Sequence, residues 1–236
     1  MFPSTQWSII LAAGDHLSAE SSHALERMCA DYWEPVYVYF RRHGHPIEDA
    51  RDLTQAFFES LIQRGDLRQI DPAKGSFRAF LTAAIKNFSA NAWDHRQAKI
   101  RGGNLIALSW DDAIENGLEC SDSHSASLTS EQAFDRQWAL SLLRQALAST
   151  REEYERLGKG SLFHSLQPML PGSNISATYD DIARALGSEP GTIRVAVCRM
   201  RRRFRIHLRN VVASTLGPGE DIDEELRYML QVLTAE

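Results

Sequence analysis

The stretch TYDDIARALGSEPGTIRVAVCRMRRRFRIHLR, residues 178 to 209, predicts two helices joined by a sharp turn. Thr178 stands where it can cap the first helix, and Asp181 three residues on completes a capping-box-like pair. Ile182, Ala183 and Leu186 share one face of that helix. Gly187 supplies a left-handed break. Pro190 sits where a second helix begins, a position where its missing N–H costs nothing. On the second helix Ile193, Ala196, Val197, Met200 and Phe204 form an apolar stripe. Val195, Cys198, Arg199, Arg202 and Arg205 fall on the opposite side, with Arg194 at the edge. Two short helices around a glycine turn, the second with arginines on its free face, describe a helix-turn-helix with its recognition helix.

The positive charge is local. Between Arg184 and Arg209 there are eight arginines and one acid, Glu189, in a chain whose formal net charge is −5. Such a concentration attracts phosphate without regard to base sequence. The acidic balance of the whole argues against a protein that coats nucleic acid uniformly, so binding is expected from patches. With 236 residues the chain suffices for one large domain or two small ones. Cys29, Cys120 and Cys198 are widely spaced and odd in number. They show neither zinc spacing nor a disulfide framework, which points to a reducing cytoplasm. The opening MFPSTQWSIILAAGD lacks the basic n-region of a signal peptide. No apolar run approaches the roughly 20 residues that span a bilayer. No metal, cofactor or small-molecule substrate is expected.

Taken in order, the chain reads as helices throughout, with no convincing strand and no internal repeat. A short opening helix holds Trp7, Ile9, Ile10 and Leu11. A long one from about Ser21 to Arg42 carries an apolar stripe that includes Met28, Tyr32, Trp33, Val36 and Phe40, read as core. The next runs from about Ile47 to Gln63. Ala50, Leu53, Phe57, Phe58, Leu61 and Ile62 make its inner face. Glu48, Asp52, Gln55, Glu59 and Gln63 make the outer one, with Asp49 at the margin. Asp-Pro and Gly give turn chemistry before Ser76. A helix then runs to about Ala98, with Phe77, Phe80, Leu81, Ala84, Ile85 and Phe88 inward and a basic far end. Residues 102 to 129 read as a linker and domain boundary. A helix follows from near Glu131, with Phe134, Trp138, Leu142, Leu143, Ala146 and Leu147 on one side. A shorter one spans Ser161 to Leu170, and an acidic tail helix follows Gly219.

Several of these stretches together resemble an RNA polymerase sigma factor of the extracytoplasmic-function group. Asp49-Ala50-Arg51-Asp52-Leu53-Thr54-Gln55-Ala56-Phe57-Phe58 looks like region 2.2 of that family. Gly75-Ser76-Phe77-Arg78-Ala79-Phe80-Leu81, followed by Asn87, looks like its promoter-melting segment. Thr178 to Leu208 looks like region 4.2. The order and spacing match over most of the chain. Ala56 departs from the family, which often has an acid there, and the tail is extra to the minimal two-domain plan.

The resemblance implies an all-α protein of two helical domains joined by a linker. These are a region 2-like domain over 1–101, a linker over 102–129, a region 4-like helix-turn-helix domain over 130–213 and an acidic extension over 214–236. It implies that Asp49, Asp52, Gln55 and Glu59 grip core RNA polymerase. Lys74, Gly75, Ser76, Phe77, Arg78, Lys86, Asn87, Asn91 and Arg96 would bind the −10 element, with Phe77 as the platform for a flipped base. Arg194, Val195, Cys198, Arg199 and Arg202 would read the −35 element in the major groove. An anti-sigma factor or other regulator is a further partner it allows. The linker would reach about 90 Å if extended at ~3.3 Å per residue, against about 70 Å for two turns of duplex.

Two other functions compete. A free-standing helix-turn-helix regulator has no use for the acidic face of the second long helix or for the Gly75–Phe80 loop. A metal-dependent nuclease would need facing acids, whereas Asp49, Asp52 and Glu59 string along one helix. The binding module, not an enzyme, is the favoured reading. Acids at the start of the tail suit a helix N-terminus by themselves, but Leu226, Met229, Leu230 and Leu233 need a surface to pack on. The tail is therefore expected to fold back and shield the arginines of the recognition helix; docking on polymerase is the rival.

Overall fold

The computed structural model describes residues 19–63, 71–100, 128–170 and 178–234. The described residues are all-helical: α1 (Ala19–Arg42), α2 (Ile47–Gln63), α3 (Phe77–Ile100), α4 (Ser130–Arg156), α5 (Gly160–Leu166), α6 (Tyr179–Leu186), α7 (Pro190–Ala213) and α8 (Ile222–Thr234), with short 3-10 turns at Pro72–Lys74 and Gln167–Met169. None of these helices is long and apolar enough to cross a membrane. The opening helix and most of the expected linker lie outside the described residues.

The chain forms two compact units, one of residues 1–141 together with 214–236 and the other of residues 142–213. This division differs from the expected one. The first part of α4 belongs to the first unit together with α1, α2 and α3.

Aromatic packing explains why α4 begins in the first unit. Trp138 is buried and stacks on Tyr32 of α1, with ring centroids 4.7 Å apart. Phe77 at the start of α3 lies 5.1 Å from Tyr32 and 5.9 Å from Trp138. Rings at such separations add to the area they bury. Thr129 and Gln132 start α4 with a reciprocal cap: the Gln132 amide donates to Thr129 Oγ1 at 3.2 Å, and the Thr129 amide to Gln132 Oε1 at 2.9 Å. Around the cluster lie Val36 and Phe40 of α1, Phe57, Phe58 and Leu61 of α2, and Leu81 and Ile85 of α3.

Two sequence expectations shift here. Trp33 stacks on Phe58 yet stays 37% exposed, at the rim rather than in the core. On α2 Thr54 is wholly buried, as is Ala50, while Leu53 is half-buried. Thr54 can sit inside because its hydroxyl donates to the Ala50 carbonyl at 2.7 Å.

In the second unit Tyr154, Phe163, Leu166, Leu170, Ile182, Ala183, Ile193, Val197 and Met200 form one core. Each of its helices contributes an apolar stripe at three- and four-residue spacing.

Replacing Trp138 by Ala should cost about 3–5 kcal/mol, the usual loss for a large buried aromatic. Urea unfolding followed by circular dichroism checks it; a loss under about 1 kcal/mol would mean that the stack is not a keystone.

Candidate nucleic-acid interface

The helix-turn-helix is built from its caps. Thr178 is extended and its hydroxyl accepts from the Asp181 amide at 3.1 Å, while Asp181 accepts from the Thr178 amide at 3.3 Å. The Thr178 hydroxyl also donates to the Asp181 carboxylate at 2.6 Å, and this bond first, then that from the Thr178 amide, holds the Asp181 carboxyl below its ordinary value. The helix ends at Gly187, with φ 58° and ψ 39°. The next amide, Ser188, donates back to Ala183 at 2.9 Å, closing the left-handed cap. A side chain at that φ would be strained, so glycine is the fitting residue. Helix α7 then starts at Pro190, and the Ile193 amide bonds to the Glu189 carbonyl at 3.2 Å.

On α7 the buried positions Ile193, Val197 and Met200 turn the remaining residues outward. Arg194, Val195, Cys198, Arg199, Arg202 and Arg205 are all exposed, Val195 at 50%. The arginines sort into two sets. Arg201 donates to the Met169 carbonyl at 2.6 and 3.1 Å. Arg203 is paired with Glu153, and His207 meets the same carboxylate at 2.8 Å. These three residues flank the apolar stripe and tie α7 to its own unit. Arg199, Arg202 and Arg205 make no hydrogen bond or ion pair among the described residues. Arg194 lies 5.5 Å above the Tyr179 ring, within cation–π range, which steadies it. The exposed row therefore offers one braced arginine and three uncommitted ones beside an apolar valine. That suits phosphate contact, bidentate contact to guanine and methyl contact to thymine.

The first unit carries the other expected residues. Lys74 is exposed, and Gly75 has φ +131°. Ser76 is buried and caps α3, accepting from the Ala79 amide at 3.3 Å. Phe77 has no exposed surface and stands in the aromatic core. This corrects the expectation that it is a platform for a flipped base: the ring has no face left to offer. Phe80, half-buried and stacked 6.0 Å from Phe77, is the nearest α3 ring with some surface. Lys86 is exposed and pairs with Glu131 at 3.1 Å. Asn87 and Asn91 are exposed on α3. Arg96 lies on α3, and its side chain is outside the described residues.

Arg78 is the residue whose surroundings sequence reading missed. Its guanidinium is clasped by Glu225 of α8, from Nε to Oε1 at 2.9 Å and Nη2 to Oε2 at 3.2 Å, and by Asp135 of α4 at 3.1 Å. The Tyr228 ring covers it at 4.4 Å, and the Tyr228 hydroxyl donates to Asp135. Burial alone would lower the Arg78 pKa; the bond and charge of Glu225, with Asp135, outweigh it and raise it. Burial, with the bond to Asp135, pushes Tyr228 up to about 12. The sequence separations of 57 and 147 leave no local signal of this clasp. The buried acid of the tail, Glu225, turns to Arg78 of its own unit. Of the apolar stripe only Met229 is buried, and Leu230 is 62% exposed.

Helix α2 shows Asp52, Gln55 and Glu59 on the surface, with Gln55 donating to Glu59 at 2.9 Å. Asp49 is half-buried beside them. Among the described residues no group of three or more His, Cys, Asp or Glu stands close enough to hold a metal ion. Compared with protein-family models, curated proteins and solved structures, the chain finds no match.

The Glu153 carboxyl is held below its ordinary value, first by the hydrogen bond from Arg203, against burial, and further by His207. A carboxylate depressed in the folded state contributes stability above its unfolded pKa, about 4.3, and loses it as pH falls through the folded value. Glu153→Gln should therefore cost about 1 kcal/mol at neutral pH, a modest figure because Arg203 is half-exposed. The gap from wild type should narrow as pH falls below the unfolded value and on through the lower folded one. Urea unfolding of both proteins at neutral and acid pH measures this; a gap independent of pH would assign the loss to packing.

Proposed function

We propose that this chain is a promoter-specificity factor of the sigma type. It binds core RNA polymerase through the outer face of α2 and directs initiation by reading promoter DNA with α7 and the surface of α3. It is a binding protein of the cytoplasm, organised as a region 2-like and a region 4-like unit, and the polymerase carries out the chemistry. One observation carries the reading: among the described residues α7 keeps Arg199, Arg202 and Arg205 uncommitted and exposed behind a capped glycine turn, while Arg201, Arg203 and His207 are engaged inside the unit. A helix N-terminus of that kind fits the major groove, and the arginine row fits its edges.

The acidic and amide row of α2 favours this over a free-standing helix-turn-helix regulator. Asp52 and Gln55 are exposed on a separate unit from α7, where a charged face supports docking to a protein partner. With Phe77 in the core, the proposed −10 surface is narrowed to Lys74, Arg78, Lys86, Asn87 and Asn91, with Phe80 as the ring nearest to them.

Two experiments test this. The pair Asp52→Ala and Gln55→Ala should weaken capture of core polymerase by about 2 kcal/mol, roughly thirtyfold, without loss of fold, since both side chains are solvent-facing. Equal capture by wild type and double variant would remove α2 from the interface. On the DNA side, Arg199→Ala should cost about 1–3 kcal/mol and relax preference at one −35 position. Arg205→Ala, farther along α7, should weaken all sequences alike. Selection from randomised duplexes reads both, and the same pattern from the two variants would refute the assigned roles.

A further inference from the structure

The clasp on Arg78 has the chemistry of a phosphate site already filled. A guanidinium that receives two carboxylate oxygens from Glu225 in parallel, at 2.9 and 3.2 Å, presents the fork that also matches two oxygens of a phosphodiester. The cluster is overcompensated: one cation faces Glu225 and Asp135 together, so this part of the α3 surface repels phosphate while α8 is in place.

The attachment of α8 looks releasable from its own anatomy. The chain before it is firmly held: Thr215 and Leu216 are buried, and the Phe77 amide donates to the Thr215 carbonyl at 2.9 Å. An exposed turn at Pro218 and Gly219 follows. Within α8 only Glu225 and Met229 are buried, and Leu230 lies open. At this place the helix is held by polar and ring contacts to Arg78 and Asp135, with Met229 buried and Ile222 and Leu226 half-buried.

We propose that α8 is an autoinhibitory cover that occupies Arg78 with the Glu225 carboxylate in the place of a single-strand phosphate, hinging at Pro218–Gly219 while Thr215 and Leu216 stay anchored. This rests on the reading of the α3 surface as the −10 site, and it differs from shielding of α7, because the residue masked is on α3. Release leaves Arg78 with Asp135 alone, removes one negative charge and uncovers the guanidinium. A competitor that brings phosphate in quantity, a promoter strand already placed by polymerase, favours that release.

The test uses the full chain and a short labelled single-stranded deoxyoligonucleotide, titrated at several salt concentrations. Glu225→Gln should bind the strand several-fold more tightly than wild type, with a salt slope steeper by about 0.7 for one added phosphate contact. Removal of residues 220–236, which leaves Thr215 and Leu216 in place, should give the same gain. Adding Arg78→Ala to Glu225→Gln should abolish it. If both release variants are folded by circular dichroism and bind the strand as wild type does, the cluster is only a brace and the proposal falls. Capture of core polymerase by the wild-type chain, measured alongside, separates the two ideas. Capture without any gain on release sinks the cover alone, whereas absence of capture sinks the sigma reading.

Discussion

The stack of Trp138 on Tyr32, with Phe77 against both, is the contact on which the first unit depends. Three rings from α4, α1 and α3 meet in the buried interior of the unit. Their burial sets the starts of α3 and α4 side by side, and that proximity puts Asp135 within reach of Arg78. It also removes Phe77 from the surface. A ring beside a loop of turn residues has the appearance of a base platform, but here the apolar area it buries decides its place.

The second unit solves a different problem, that of keeping positive charge available. A helix with many arginines tends to lose them to nearby acids. Here the basic residues flanking the apolar stripe are the ones consumed: Arg201 by the Met169 carbonyl, Arg203 and His207 by Glu153. Those on the far side, Arg199, Arg202 and Arg205, have no acid paired with them among the described residues. The helical repeat produces this sorting, since residues three and four from a buried position lie closest to the rest of the unit. The braces hold the helix; the open row remains for a ligand.

Carboxylates act in both units as organisers of arginine, with different consequences. Glu153 serves two cations at the back of α7 and leaves the exposed row untouched. Glu225 takes the one arginine at the front of α3. In water-poor surroundings a paired arginine costs little to keep and much to strand, because an unpaired buried charge is poorly tolerated. The Arg78 cluster is for this reason either closed by α8 or opened toward another anion.

By itself the sequence determined the helices, the glycine turn with its capping box and the faces of α7, because each depends on neighbours within about four residues and on helical repeat. The exposure of Asp52, Gln55 and Glu59 was legible for the same reason. Only the tertiary structure decided what depends on residues far apart in the chain. Thr54 lies deeper than Leu53, which a hydroxyl bonded to its own helix allows. Phe77 kept the inward face that periodicity assigned to it, and it was Trp138, 61 positions later, that brought the ring closing over it. The first part of α4 joined the first unit because Trp138 packs on Tyr32 there. Glu225 reached Arg78 across 147 positions. Periodicity assigns a residue to a face, but which distant partner meets that face depends on how the whole chain closes its core.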